Sequence, residues 1–381
     1  MARPDAGRFD LRRWGALERE ALSTWLLTRV AVMTAALAGL WMLSDTDAGN
    51  VPSFLSWWDR WDTTLFLDVA KYGYGGYHAH THDVHLEAFF PGEPLAMRLG
   101  HLLTGSWVVG ALAVSAIAGA VAMVAMARLG ALEGGRLAGS RAVLYLTLSP
   151  YAVFLAAGYS ESLFLAFALP SWLAARRGRW LTAGLLAGCA SFVRIDGLFL
   201  GVALCVQWLV TSDRRLSWRL LGLLAPPLAT FDYFAYLHHV TGDWLAWDHA
   251  QQQGWGRTLT WPWDSFHTSW VAAFSPAQGT AYEWSFRAEV AAVLLGVALT
   301  VVLLLIRRFG EATYVGLQVA ALGCSSYYLS VSRSTLLWFP LWLLLARWSL
   351  SRRWLHLGYL AVAPALMLVG VVTFTSGRWV G

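Results

Sequence analysis

Arginine punctuates this chain. Apolar segments lie near 21–43, 105–127, 142–157, 162–175, 180–193, 197–211, 220–237, 288–306, 313–329, 335–346 and 355–374, and a basic cluster follows every second one. This alternation limits the fold more than any other feature, because a bilayer accepts only helices or closed barrels. Apolar runs of this length suit helices. About eleven spans are expected. Several are shorter than the roughly 20 residues that a straight crossing needs, so hairpins or broken helices are expected among them. Composition agrees: 57% of the residues are hydrophobic and 13% charged, against about 25% charged in soluble proteins. The 23 Trp and 13 Tyr suit a protein with two water–lipid boundaries to line. An all-α polytopic membrane protein follows, with 1–381 as one integral-membrane domain and no internal repeat.

The basic residues orient it. With the N-terminus cytoplasmic, nineteen Arg fall on the cytoplasmic side, in clusters such as "ARRGR", "IRRFG" and "ARWSLSRRW". Eight Arg and Lys fall opposite, and Arg29 lies within the first span. That is the positive-inside bias. The first apolar segment is too long for a cleaved signal and reads as a signal anchor. Two long loops, 46–104 and 238–287, then face away from the cytoplasm and hold most of the His and the non-Arg polar chemistry. The net charge of +5 reports topology rather than nucleic-acid binding. Cys189, Cys205 and Cys324 all fall in apolar segments, so they imply no disulfides and read as small core residues.

Within the first loop, "SWWDRWDTTLFLDVAKYGY" sets three carboxylates among three Trp. Residues 57–72 lack Gly and Pro, so one interfacial helix is expected there. On a helical wheel Asp59 and Asp68 flank the apolar face, whereas Asp62 falls in its middle, between Trp58 and Phe66. A bare carboxylate buried there is costly. It needs either an ion pair, with Arg60 or Arg29 as the obvious bases, or a function. Farther along, His78, His80 and His82 alternate with Asp83 nearby and His85 following, a spacing open to a divalent metal. With no Cys or distant partner indicated, a solvated loop is the simpler reading, and no metal is expected.

Blocks across the chain resemble the PIG-V type of glycosylphosphatidylinositol mannosyltransferase and its bacterial homologues. They are "RWDTTLFLDVAKYGY" with "HLEAFFPGEPL", "LSPYAVFLAAGYSESLFLAFAL", "GRWLTAGLLAGCASFVRIDGLFLG" and "SVSRSTLLWFPLWLLLA", in that order. Glu93, where an apolar residue is expected, and the His-rich insertion depart from the family pattern. The resemblance implies a GT-C fold with an active site at the non-cytoplasmic face of a bacterial plasma membrane. It also implies a polyprenyl-phosphate-mannose donor and makes Asp62 the family's Trp-Asp carboxylate. Asp62 is then the expected general base, with Asp59 as the reserve candidate. Arg194 and Arg333, isolated at non-cytoplasmic helix ends, are expected to hold the donor phosphate. Glu161, His85, Trp247, His249 and Arg257 are the candidates for acceptor or sugar binding. The acceptor is a glycolipid, a lipoglycan or a protein. A transporter or flippase of a lipid-linked sugar is the alternative, although that class normally carries internal repeats and mid-membrane ionisable groups.

Overall fold

A computed structural model describes residues 15–43, 53–74, 85–211, 217–275 and 279–380. Among these the chain is helical throughout, with one isolated antiparallel bridge between Leu259 and Ser325. Among the described residues five helices are long and apolar enough to cross a membrane. They are α1 (Ala16–Leu43), α4 (Trp107–Thr147), the segment Trp218–Thr241 that ends in α8 (Ala225–Thr241), α11 (Thr280–Leu305) and α15 (Arg353–Thr375). Shorter helices fill the bundle: α5 (Ser160–Arg176), α6 (Trp180–Val193), α7 (Asp196–Val210), α12 (Phe309–Gly323) and α14 (Phe339–Ser351). The expected count of eleven included these shorter runs.

Several apolar segments break where the sequence suggested continuity. Helix α4 turns back on itself at Gly134 and Gly135, the latter at φ 74°, a conformation that glycine adopts at no steric cost. Its arms, 107–133 and 136–147, pack so tightly that a Cβ on Gly130 would sit 2.8 Å from the Cα of Gly139. The segment expected at 142–157 is helical only to Thr147. Pro150 follows, with a 3-10 turn at Ala152–Leu155. The segment 313–329 is helical only to Gly323. The one at 335–346 begins its long helix at Phe339, after a short turn α13 (Val331–Ser334) and a 3-10 turn at Thr335–Leu337.

The stretch 57–72 also departs from the single helix expected. Phe54–Trp57 is a 3-10 turn, Trp61 takes φ 54°, and α2 (Asp62–Tyr72) begins only at Asp62. Trp58 is buried, but it lies outside α2. The face α2 buries carries Thr63, Phe66, Leu67, Val69 and Ala70, while Trp61 and Tyr72 are exposed. The wheel therefore placed Asp62 correctly near buried groups but for the wrong geometric reason. The first loop also holds α3 (Gly92–Thr104), and the second holds α9 (Ala246–Trp255) and α10 (Pro262–Phe274).

Two ends of the bundle differ in chemistry. At one end Arg176, Arg308 and Arg347 converge on Glu133 at 3.2, 2.9 and 3.5 Å, and Arg308 also grips Glu311. Helix α5 starts at Ser160 and ends at Arg176, 17 residues or about 25 Å away. Ser160 lines a cavity at the other end, as do Ala321 and Leu322 near the end of α12. Between the two, Phe339 packs on Trp172 and Tyr314, with ring centres 5.4 and 5.2 Å apart. Small residues let backbones touch: a Cβ on Gly184 would lie 2.1 Å from the carbonyl carbon of Gly222. The cysteines are not core residues, since Cys189 and Cys205 are exposed on the helix exterior and Cys324 is half-buried.

Candidate active site

The helix breaks described above assemble a cavity of about 160 Å³ from distant parts of the chain. Pockets for drug-sized ligands run to about 300–1,000 Å³. This one suits a small polar moiety, with any long apolar tail left outside it. One wall is aromatic, with Phe66, Phe89, Phe90, Trp247 and Trp255, and Trp379 from the C-terminal segment packs edge-on against Trp61 at 5.3 Å. The floor is ionic.

Asp62 stands at the first position of α2, directly after the left-handed Trp61. Its Oδ2 accepts a hydrogen bond from Nη1 of Arg333 at 2.8 Å, and its backbone N–H donates to the hydroxyl of Tyr159 at 3.3 Å. The partner is thus Arg333, not Arg60 or Arg29. Arg29 instead donates from within α1 to the carbonyls of Thr147 and Ala152. Nε of Arg333 lies 3.1 Å from Glu161 Oε1, and its guanidinium stacks over Phe154 and Tyr159. Burial opposes the charge of Arg333, but Glu161 and Asp62 outweigh it and push its pKa above the ordinary value.

Glu161 joins this pair to a second one. Its Oε1 also accepts from Arg194 at 3.2 Å, and Arg194 donates further to Asp196 Oδ2 at 2.9 Å and to Ser160 Oγ at 2.9 Å. The result is a line of alternating charge: Asp62, Arg333, Glu161, Arg194, Asp196. Glu161 is buried and lies behind the cavity wall, whereas the other four line it. Two residues separated by 271 positions in sequence are thereby brought into contact.

Arg333 is held by an element that the sequence did not single out. Glu289, buried in α11, accepts from the backbone N–H groups of Ser330, Val331 and Ser332 at 3.1, 2.7 and 3.1 Å, and from Ser332 Oγ at 2.8 Å. Ser330 sits at φ 63°. Among the described residues only Trp61, Arg307 and Ser330 are non-glycine residues with positive φ, and two of them flank this site. Backbone strain of this kind gathers at functional sites. A lone carboxylate in the apolar run 288–306 was the available signal for Glu289.

Glu93 was noticed in the sequence only as a departure from pattern. It is fully buried at the start of α3, and among the described residues neither carboxyl oxygen has a hydrogen-bond partner. Burial, reinforced by Glu161, pushes its pKa well above the usual carboxylate range.

The remaining candidates divide. Trp247 and Arg257 line the cavity, joined from α9 by Trp255, a Trp of the same aromatic and polar stretch of the sequence, and by Gln251, which the sequence did not single out. Arg257 bonds Gln251 Oε1 at 3.2 Å and the Leu329 carbonyl at 3.1 Å. Asp59 does not line it and accepts from Thr64 Oγ1 at 3.0 Å. His249 is half exposed and pairs with Asp243 at 2.6 Å, away from the cavity. His85 packs behind α9, near Gly254. Among the described residues no group of three or more His, Cys, Asp and Glu is placed to hold a metal ion. His78, His80, His82 and Asp83 lie outside the described residues.

The resemblance read from the sequence holds. The family model described as Mannosyltransferase (PIG-V) matches residues 48–213, a stretch containing Asp62, Glu93, Glu161, Arg194 and Asp196. The chain is 32% identical over 213 residues to GPI alpha-1,6-mannosyltransferase 2 of Rattus norvegicus, and 31% over 212 residues to that of Homo sapiens. Each match covers 49% of this chain and 42% of the relative, so the chain matches less than half the length of these curated relatives. Among solved structures, ArnT from Cupriavidus metallidurans bound to undecaprenyl phosphate superposes with a TM-score of 0.41 at 16% identity, covering 93% of this chain and 76% of that one. The Archaeoglobus fulgidus oligosaccharyltransferase in its apo form gives 0.43 at 12% identity, covering 94% and 56%.

Proposed function

We propose that this protein is an inverting mannosyltransferase that uses a polyprenyl-phosphate-mannose donor at the non-cytoplasmic face of a bacterial plasma membrane. The observation that carries this reading is Asp62. It is a carboxylate opening into the cavity beside Arg333, and it lies inside the segment that matches the mannosyltransferase family. Nucleotide sugars are cytoplasmic, so an enzyme facing the other way needs a sugar carried on lipid. A cavity sized for a small polar group suits a donor whose tail stays in the bilayer. The gathering of Arg176, Arg308 and Arg347 at the opposite end supports the orientation, with the N-terminus cytoplasmic.

In this reading the acceptor is a hydroxyl of a glycolipid, lipoglycan or protein. Asp62 takes its proton as the oxygen attacks the anomeric carbon. The bond from that carbon to the phosphate oxygen breaks, and its electron pair stays with the phosphate. The phosphate gains one negative charge while Asp62 loses one, so the net charge of the site is unchanged through the step. Protonation of Asp62 also removes a negative charge from the site at the moment the leaving group becomes more anionic, while Arg333 keeps its ion pair with Glu161. Trp247, Trp255 and Gln251 present aromatic faces and an amide to the sugar.

The test is purified protein in nanodiscs with polyprenyl-phosphate-mannose labelled in the sugar, plus an envelope extract as acceptor. Label should move to a new product with release of polyprenyl phosphate in equal amount. Movement of intact donor between leaflets without turnover would instead support the flippase.

A further inference from the structure

We infer that Arg257 is the anion anchor of this cavity, taking the phosphate of a lipid-borne sugar phosphate that Arg194 and Arg333 are too committed to hold. This assignment rests on the donor class proposed above. It moves Arg257 out of the sugar-binding group to which the sequence pointed.

Arg194 is already bound by Asp196, Glu161 and Ser160, and Arg333 by Asp62 and Glu161. A phosphate placed on either would lie against a carboxylate. Arg257 also lines the cavity, yet among the described residues its hydrogen-bond partners are two neutral acceptors, the Gln251 side chain and the Leu329 carbonyl. Those bonds use two of the five N–H groups of a guanidinium. The others are free to form the planar fork that matches phosphate oxygens.

The setting reinforces this. Arg257 follows Gly256, whose φ of 60° ends α9, and its own backbone N–H donates to the Gln251 carbonyl at 3.2 Å. The side chain is thus tied by Gln251 and the Leu329 carbonyl directly after the end of α9. Burial and the neighbouring Arg333 push the Arg257 pKa below its ordinary value, with Asp62 opposing more weakly. A bound anion relieves that desolvated charge. The line of ions carries three carboxylates and two guanidiniums, so it has no positive charge to spare, and Arg257 stands outside it.

The experiment uses the full chain in nanodiscs and three probes: a polyprenyl phosphate, the uncharged polyprenol and inorganic phosphate. The wild type should bind the lipid phosphate at least about tenfold more tightly than the polyprenol, and more tightly than inorganic phosphate. Arg257→Gln should lose about 10- to 100-fold in lipid-phosphate affinity while polyprenol binding changes less than twofold. Arg257→Lys should recover part of that loss and serves as the folded control, because it keeps the charge but not the fork. If the wild type prefers the phosphate and Arg257→Gln keeps that preference, the anchor is elsewhere and only this inference falls. A wild type with no preference for phosphate overturns both this inference and the lipid-phosphate donor. Equal affinity for inorganic phosphate overturns the lipid-borne source.

Discussion

Glu289 carries a heavy structural load, and replacing it tests how Arg333 is held. Its Oε2 accepts from the N–H groups of Val331 and Ser332, and its Oε1 from the Ser330 N–H and the Ser332 hydroxyl. Glu289→Gln keeps the shape but turns one oxygen into a donor facing donors. With the amide oxygen on the Oε1 side, two charge-assisted bonds at 2.7 and 3.1 Å are lost. At about 1.5–3 kcal/mol each, the change costs about 3–6 kcal/mol. At about 2 °C per kcal/mol for a chain of this size, the apparent melting temperature in detergent falls by roughly 6–12 °C. Arg333 then loses its fixed approach to Asp62, so donor turnover should fall at 20 °C, where the variant is still folded. The measurements are a thermal-shift curve and donor turnover on the same preparation. A Glu289→Gln protein that melts within about 2 °C of wild type would refute the claim that this carboxylate organises residues 330–333.

Other expectations can be checked alongside. Glu93 has a folded pKa raised by burial and by Glu161, so the folded state holds a proton that the unfolded state releases as pH rises above the usual carboxylate value. Stability therefore falls with increasing pH through that window, by up to about 1.4 kcal/mol per pH unit. Glu93→Gln should remove this slope, raising the melting temperature more at pH 8 than at pH 5; parallel curves for the two proteins would contradict it. Gly184→Ala should destabilise, since the new Cβ would lie 2.1 Å from the Gly222 backbone and force two helices apart. Unchanged expression and melting for Gly184→Ala would show that the packing yields more easily than the geometry implies.

The legible part of this protein was what physical chemistry imposes locally. Apolar run length and the bias of Arg128, Arg136, Arg176 and Arg308 toward alternate loops announced a helical membrane bundle with two unlike ends. Asp62, Arg194 and Arg333 stood out as ionisable groups in apolar surroundings, and the structure brings all three to one cavity. Other features depended on contacts between distant positions. Nothing near Glu289 in sequence indicates that it caps a turn some 40 residues later. The breaks at Pro150 and after Gly323 interrupt runs whose hydrophobicity is uniform, so composition alone joined them. Asp243 and Asp248 give His249 and Gln252 polar partners outside the cavity, which a pattern of mixed Trp and polar residues does not distinguish from a binding surface. The helix wheel over 57–72 failed at Trp61, where a left-handed residue starts α2 afresh.

In the mechanism proposed above, Asp62 removes the acceptor proton as mannose leaves its lipid phosphate. The most direct measurement compares single-turnover consumption of polyprenyl-phosphate-mannose by the wild type and by Asp62→Asn in nanodiscs, after equal donor binding has been established for both. The substitution keeps the size of the side chain and an oxygen within reach of Arg333, so fold and donor binding should persist. Transfer should fall by about 10²–10⁴-fold. Turnover by Asp62→Asn at close to the wild-type rate would contradict this mechanism and return attention to Asp59.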